Sequence, residues 1–154
     1  MNMDHSFVTN LKLLEEAEYF FAEQYNVDVD CNFIFNAACL GTCRGVYNFS
    51  SNLIEVYGIS TYSQRELAIT TFHELIHYWQ HKIVKTLDLI GSRCFYKGVD
   101  VSDIEYGNLP HEIEARKLSA NLIYRFELKY PNIGGSVYKK HNTCYRLKRK
   151  LRHF

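Results

Sequence analysis

Two histidines stand four residues apart in the middle of the chain, in the segment His73-Glu74-Leu75-Ile76-His77. On a helix, this spacing places both imidazoles on one face, one turn apart, where they can bind the same metal ion. Glu74 is rotated by about 100° from His73, and its carboxylate can take a proton from a metal-bound water and pass it to a leaving amine. The pattern is typical of zinc peptidases. It makes His73 and His77 candidate Zn²⁺ ligands and Glu74 the candidate catalytic residue.

The residues around this motif predict a buried helix. Ser63 and Glu66 have the spacing of a capping box, in which the serine caps the helix and the glutamate binds back to the serine N–H. The helix should begin there and run to about residue 81 or 84. Apolar side chains cover much of its circumference, as in helices that lie at the centre of a domain. Two histidines hydrogen-bonded within a core are the alternative to a metal site.

A catalytic zinc ion needs three protein ligands and one open position, so a third ligand must come from another element. Pro110 opens a predicted helix that runs to about residue 130, and its first turn offers His111, Glu112 and Glu114. Glu112 is favoured because it begins a stripe of small and apolar residues that can pack on the motif helix. The stripe consists of Ala115, Ser119, Leu122 and Phe126. Glu114 suits a surface carboxylate or one that supports a ligand, whereas His111 could be a ligand or bind a reacting carbonyl.

The rest of the chain predicts one domain that combines helices and strands. Residues 6–25 have the apolar periodicity of a helix. Residues 27–35, 45–49 and 53–57 are candidate strands, and turn-forming serine and asparagine residues join the last two as a hairpin. Residues 85–109 have no clear pattern. We therefore expect an α+β fold in which a small sheet packs on an N-terminal helix, the motif helix and the glutamate helix.

Length and composition limit the class of protein. The chain has 154 residues, of which 47% are hydrophobic and 23% charged, as expected for a single folded domain. It contains no apolar run of about 18 residues, and its N-terminus resembles neither a secretory signal nor a transit peptide. The five cysteines form no CxxC pair and indicate reduced thiols. We expect a cytoplasmic protein without a membrane partner.

The C-terminal segment, residues 138–154, is strongly basic. It carries seven lysines and arginines and no acid, which leaves 11 basic against 17 acidic residues in the predicted domain, residues 1–137. Such a segment can contact phosphates, and Tyr138 and Tyr145 could stack on bases. The favoured interpretation is an amphipathic segment that packs on the domain through Tyr145, Leu147 and Leu151. Nucleic acid is thus a disfavoured partner, and a protein or peptide substrate the expected one.

Two segments resemble a known family. Residues 70–80, Thr-Thr-Phe-His-Glu-Leu-Ile-His-Tyr-Trp-Gln, are similar to the active-site helix of the zincin metallopeptidases. Residues 110–115, Pro-His-Glu-Ile-Glu-Ala, are similar to the glutamate helix of the gluzincins, in which an alanine often follows the ligand glutamate by three positions. A weaker resemblance is to the SprT-like proteases, which are associated with DNA-bound proteins and use a histidine soon after the motif as third ligand. Only His81 stands in that stretch.

The gluzincin resemblance implies a zincin-like fold and a peptidase of minimal size. It implies that an edge strand lines the cleft and pairs with extended substrate, and residues 53–57 would be that strand. It also implies a tyrosine or histidine that stabilises the oxyanion, and Tyr106 is one candidate among twelve tyrosines. The alternative hypothesis is a zincin-fold interaction protein without proteolytic activity, whose basic segment binds nucleic acid. Glu74 argues against it, because a purely structural zinc site does not need that carboxylate.

Overall fold

The computed structural model describes residues 5–134. Within them the chain forms three α-helices and two three-stranded sheets, which confirms the predicted α+β class. The elements are α1 (His5–Tyr25), β1 (Asn32–Asn36), β2 (Gly45–Asn48), β3 (Leu53–Tyr57), α2 (Gln64–Tyr78), β4 (Leu87–Ile90), β5 (Arg93–Tyr96), β6 (Val99–Asp100) and α3 (Pro110–Lys129). The basic segment 138–154 and the domain boundary before it lie outside the described residues and stay predictions. No helix in the described part is long and apolar enough to cross a membrane.

The motif helix α2 lies at the centre of the fold. Its predicted capping box is confirmed: the Ser63 hydroxyl accepts from the Glu66 N–H at 3.2 Å, and the Glu66 carboxylate accepts from the Ser63 N–H at 3.0 Å. Every residue of α2 from 66 to 78 except Ile69 is buried. Phe72 packs between the other helices, with ring centroids 6.1 Å from Phe20 of α1 and 5.4 Å from Phe126 of α3. The motif is therefore carried by the most enclosed element.

The glutamate helix α3 packs on α2 through the predicted stripe. The stripe residues are all buried: Glu112, Ala115, Ser119, Leu122 and Phe126. The small side chains of Ala115 and Ser119 permit close approach of the two helix backbones, and this approach brings the first turn of α3 to the histidines of α2. The pattern of residue sizes along α3 thus determines where Glu112 lies.

The first sheet confirms the hairpin but not the expected edge strand. Strand β3 pairs in parallel with β1 and antiparallel with β2, which gives the order β1-β3-β2. The expectation that residues 53–57 form the edge strand is therefore wrong, because β3 has a partner on each side and its backbone groups are used within the sheet. Strand β2 is the edge strand beside α2. The tendency of consecutive hairpin strands to pair was evident in the sequence, whereas the long-range pairing of β1 with β3 was not.

The second sheet was not predicted. Residues 85–109 contain the antiparallel strands β4, β5 and β6, which are only two to four residues long. Lys97 and Gly98 connect β5 to β6 with φ angles of 50° and 78°, the left-handed pair that a two-residue hairpin turn requires. A small separate core supports the sheet: Leu87, Cys94, Tyr96, Val101 and Leu109. Gly98 is thus a turn residue of this sheet.

Candidate metal centre

Helices α2 and α3 bring the three predicted ligands together. Nε2 of His73 lies 3.2 Å from Oε2 of Glu112, and Nε2 of His77 lies 3.0 Å from Oε1 of the same carboxylate. The two imidazole Nε2 atoms are 3.0 Å apart. All three side chains are buried. Among the described residues, this is the one group of histidine, cysteine and acidic side chains whose ligand atoms converge closely enough to hold a metal ion.

The geometry fits a metal ion. Bonds of about 2.0–2.1 Å in a tetrahedral site separate neighbouring ligand atoms by about 3.3 Å, slightly more than the separations of 3.0–3.2 Å found here. Two imidazole nitrogens and a carboxylate facing one point are the arrangement that a bound cation creates. Oε2 of Glu112 is also buried and accepts no well-directed hydrogen bond from the described residues. The buried His-His-Glu group can therefore hold a metal ion.

The charges of this group favour an ionised carboxylate. Burial alone would raise the pKa of Glu112, but His77 and His73 outweigh burial and hold this pKa well below its usual range. Burial would conversely lower the pKa of His77, but the nearby carboxylate of Glu112 outweighs it and raises that pKa. Glu112 is therefore a carboxylate at neutral pH, which is the form that binds a cation.

The alternative third ligands lie behind the group. His111 is fully buried, and its ring centroid is 5.9 Å from that of His77. Burial, followed by the charge of His77, lowers the pKa of His111 to about 4, so its imidazole is neutral at pH 7. Neither His111 nor Glu114 belongs to the converging group or lines the cleft in front of it. The choice of Glu112 over both is thus supported by the positions of the side chains.

A cleft of about 470 Å³ opens onto the metal-binding group. Strand β2 forms one wall, and Leu89 of β4, Gly91 and Tyr106 lie on another part of the lining. The side chains of His73, Glu74, His77 and Glu112 also line it. Tyr106, the candidate for stabilising an oxyanion, therefore has access to the cleft. His81 lines the cleft outside the metal-binding group, as expected for a rim residue, and its Nδ1 is 3.0 Å from the carbonyl oxygen of Leu87.

Glu74 lies where α2 and strand β2 meet. The residue is 5% exposed and lines the cleft beside the histidines. A Cβ atom on Gly45 would lie 3.1 Å from Cγ of Glu74, 2.8 Å from Cγ2 of Thr70 and 3.0 Å from the carbonyl oxygen of Glu55. Only glycine therefore lets β2 approach α2 this closely. A glycine at the start of a predicted strand was the available sequence signal for such an approach.

Replacing Gly45 with alanine should lower the free energy of unfolding by about 1–3 kcal/mol, since the added methyl group overpacks this contact. The Glu55 carbonyl belongs to the sheet backbone and cannot move aside easily, so β2 and Glu74 should shift instead. Urea unfolding monitored by circular dichroism measures the effect. Gly107→Ala is the matched control, because a Cβ there would meet no atom within 4 Å. Equal stability of the two variants would contradict the close packing of β2 on α2.

Comparison with known proteins does not assign the chain to a family. It matches no protein-family model, no curated protein and no solved structure. The zincin resemblance consequently stays a hypothesis that depends on the motif residues themselves.

Proposed function

We propose that this protein is a zinc-dependent peptidase with a zincin-like fold, which hydrolyses peptide bonds in the cleft beside β2. The observation that carries the proposal is the convergence of His73, His77 and Glu112 at the end of an open cleft, with Glu74 next to them. A purely structural metal site is usually closed by a fourth protein ligand. Here the described residues supply three, which suits a catalytic site.

The donor atoms favour zinc. Two imidazole nitrogens and one carboxylate oxygen are a ligand set used by catalytic zinc, and no cysteine belongs to the group. His73 and His77 would hold the ion from α2, and Glu112 from α3. When bound, zinc would lower the pKa of a water molecule and polarise the carbonyl group of a substrate.

Glu74 supplies the proton transfers that hydrolysis requires. Its carboxylate would accept a proton from the attacking water as the water oxygen bonds to the carbonyl carbon of the substrate. It would then deliver this proton to the amide nitrogen as the carbon–nitrogen bond breaks, which releases an amine and a carboxylic acid that loses its remaining proton at neutral pH. The side chain lines the cleft and does not belong to the converging ligand atoms, so a substrate bound in the cleft would lie beside it.

Strand β2 favours a polypeptide as substrate. Within the described residues it pairs with β3 only, and all four of its residues line the cleft. An extended peptide can pair with the open edge of such a strand through backbone hydrogen bonds. Because β2 also passes beside Glu74, a peptide bound in this way would present its backbone to the catalytic side chain.

Removal of the metal tests this function. The chain treated with a chelator and dialysed should cleave no unfolded casein, and addition of an equimolar amount of zinc should restore cleavage. Addition of magnesium should not, since magnesium prefers an all-oxygen octahedral site. The zinc content of the sample that has received zinc should approach one ion per chain. Cleavage that persists in the metal-free sample would contradict the proposal.

A further inference from the structure

Gln80 is a fully buried amide directly behind the metal-binding group. It belongs to the π-helical turn Trp79–Ile83 that follows α2, in which the Val84 N–H donates to the Trp79 carbonyl at 3.0 Å. Turns of this kind often occur at functional sites. The side chain of Gln80 makes three hydrogen bonds, and its backbone carbonyl accepts from the Thr86 N–H at 2.8 Å. Hydrogen bonds at both ends of a buried amide indicate a positioning role.

The partners of Gln80 determine the orientation of its amide. One end faces two acceptors, the carbonyl oxygen of His111 at 3.0 Å and Oε2 of Glu114 at 2.8 Å. An NH₂ group can donate to both, whereas an oxygen there would face two other oxygens. The nitrogen must therefore lie at this end, and the oxygen must lie toward His77. Oε1 of Gln80 is 2.9 Å from Nδ1 of His77.

This orientation specifies the tautomer of His77. The oxygen of Gln80 can only accept, so Nδ1 of His77 must carry a proton. A neutral imidazole protonated at Nδ1 keeps its lone pair on Nε2, the atom that faces Glu112 at 3.0 Å. Gln80 thus makes the correct nitrogen of His77 available to a metal ion and restrains rotation of the ring.

The same amide also connects the two helices that carry ligands. The Gln80 nitrogen donates to His111 and to Glu114. These two residues flank Glu112 and Ile113 in the first turn of α3. Gln80 thereby fixes His77 directly and Glu112 through the backbone that carries it. Nζ of Lys97 lies 3.9 Å from Oε1 of Glu114, which extends the connection to the second sheet.

We propose that Gln80 is the positioning residue of the metal centre: through its amide it sets the tautomer of His77 and holds the Glu112 turn against α2. Loss of a residue that orients a metal ligand typically lowers metal affinity roughly 10- to 100-fold. This inference rests on the proposed zinc site, but it does not require that the substrate be a peptide.

The test compares zinc affinities, measured by competition with a chromophoric chelator. Gln80→Leu keeps the approximate size of the side chain and removes all three hydrogen bonds, so we expect zinc affinity to fall roughly 10- to 100-fold. Gln24→Leu, which removes an exposed glutamine amide on α1, is the matched control and should leave it unchanged. Urea unfolding curves of the metal-free variants, measured in parallel, show whether each variant is folded before zinc is added. Wild-type zinc affinity in folded Gln80→Leu would overturn the proposal.

A second pair of variants separates positioning from packing. Gln80→Glu keeps an acceptor for His77 but sets two carboxylates against each other, so it should weaken zinc binding. Adding Glu114→Gln returns an amide donor to the carboxylate at position 80, while the His111 carbonyl oxygen stays without its donor, so we expect part of the lost affinity to return. Cobalt can replace zinc as a spectroscopic probe. The cobalt-loaded double variant should then have the visible absorption spectrum of the cobalt-loaded wild-type chain. A double variant that binds zinc no more tightly than Gln80→Glu alone would overturn the proposal, even if Gln80→Leu does not fold.

The outcomes distinguish this inference from the proposed function. A wild-type chain that binds zinc and cleaves no polypeptide contradicts the peptidase proposal, while a loss of affinity in Gln80→Leu still supports the role of Gln80. A wild-type chain that cleaves casein with zinc, beside a Gln80→Leu variant of equal zinc affinity, contradicts the role of Gln80 alone.

Discussion

Replacing Glu74 with glutamine should leave zinc bound and slow peptide hydrolysis by about 100- to 10,000-fold, the usual contribution of a general acid–base group. Glutamine has nearly the same shape but cannot accept the proton of the attacking water. Zinc should stay bound, because Glu74 does not belong to the converging group of ligand atoms. The measurements are kcat/KM on an unfolded protein substrate and zinc content, both on zinc-loaded protein.

The matched control for this variant is Glu15→Gln, which makes the same chemical change at an exposed position on α1. It should keep the wild-type rate and zinc content. A Glu74→Gln variant that hydrolyses peptide bonds at the wild-type rate would show that another group accepts the proton. Loss of zinc together with activity would place Glu74 among the ligands instead.

Replacing Glu112 with alanine should have the largest effect on metal binding. Zinc affinity should fall by more than the roughly 10- to 100-fold expected for loss of a supporting residue, because a direct ligand is removed. The fall in zinc affinity for Glu114→Ala should stay within that smaller range, because Glu114 contacts the ligand His77 through Gln80. Chelator competition on the two variants side by side measures the difference. A greater loss for Glu114→Ala than for Glu112→Ala would contradict the ligand assignment.

The convergence of His73, His77 and Glu112 could be predicted largely from local sequence. The spacing of His73 and His77 determines their common face once the segment is helical, and the capping box at Ser63 is a local signal for where that helix begins. Glu112 was favoured by the sizes of the residues that follow it in α3. The three side chains converge as these patterns predict, because helix periodicity relates residues that are only a few positions apart.

The walls of the cleft depend on contacts that a sequence pattern does not report. Residues 53–57 were expected to form the edge strand, but β1, which lies before the hairpin, pairs with β3 and leaves β2 at the edge. The strands of the second sheet are too short to establish an alternating pattern. Gln80 reaches His111 across 31 positions of the chain. The pairing of β1 with β3 and the contact of Gln80 with His111 are both long-range, and helix or strand periodicity does not report such contacts.

Zinc-dependent hydrolysis of peptide bonds is tested most directly with a peptide library in ¹⁸O-labelled water. The library is incubated with the chelator-treated protein before and after zinc is returned to it, and the products are identified by mass spectrometry. We expect new N-termini only in the zinc-loaded sample, each matched by a C-terminal carboxylate that contains the heavy oxygen. A zinc-loaded chain that generates no new termini across the library would contradict the proposed function.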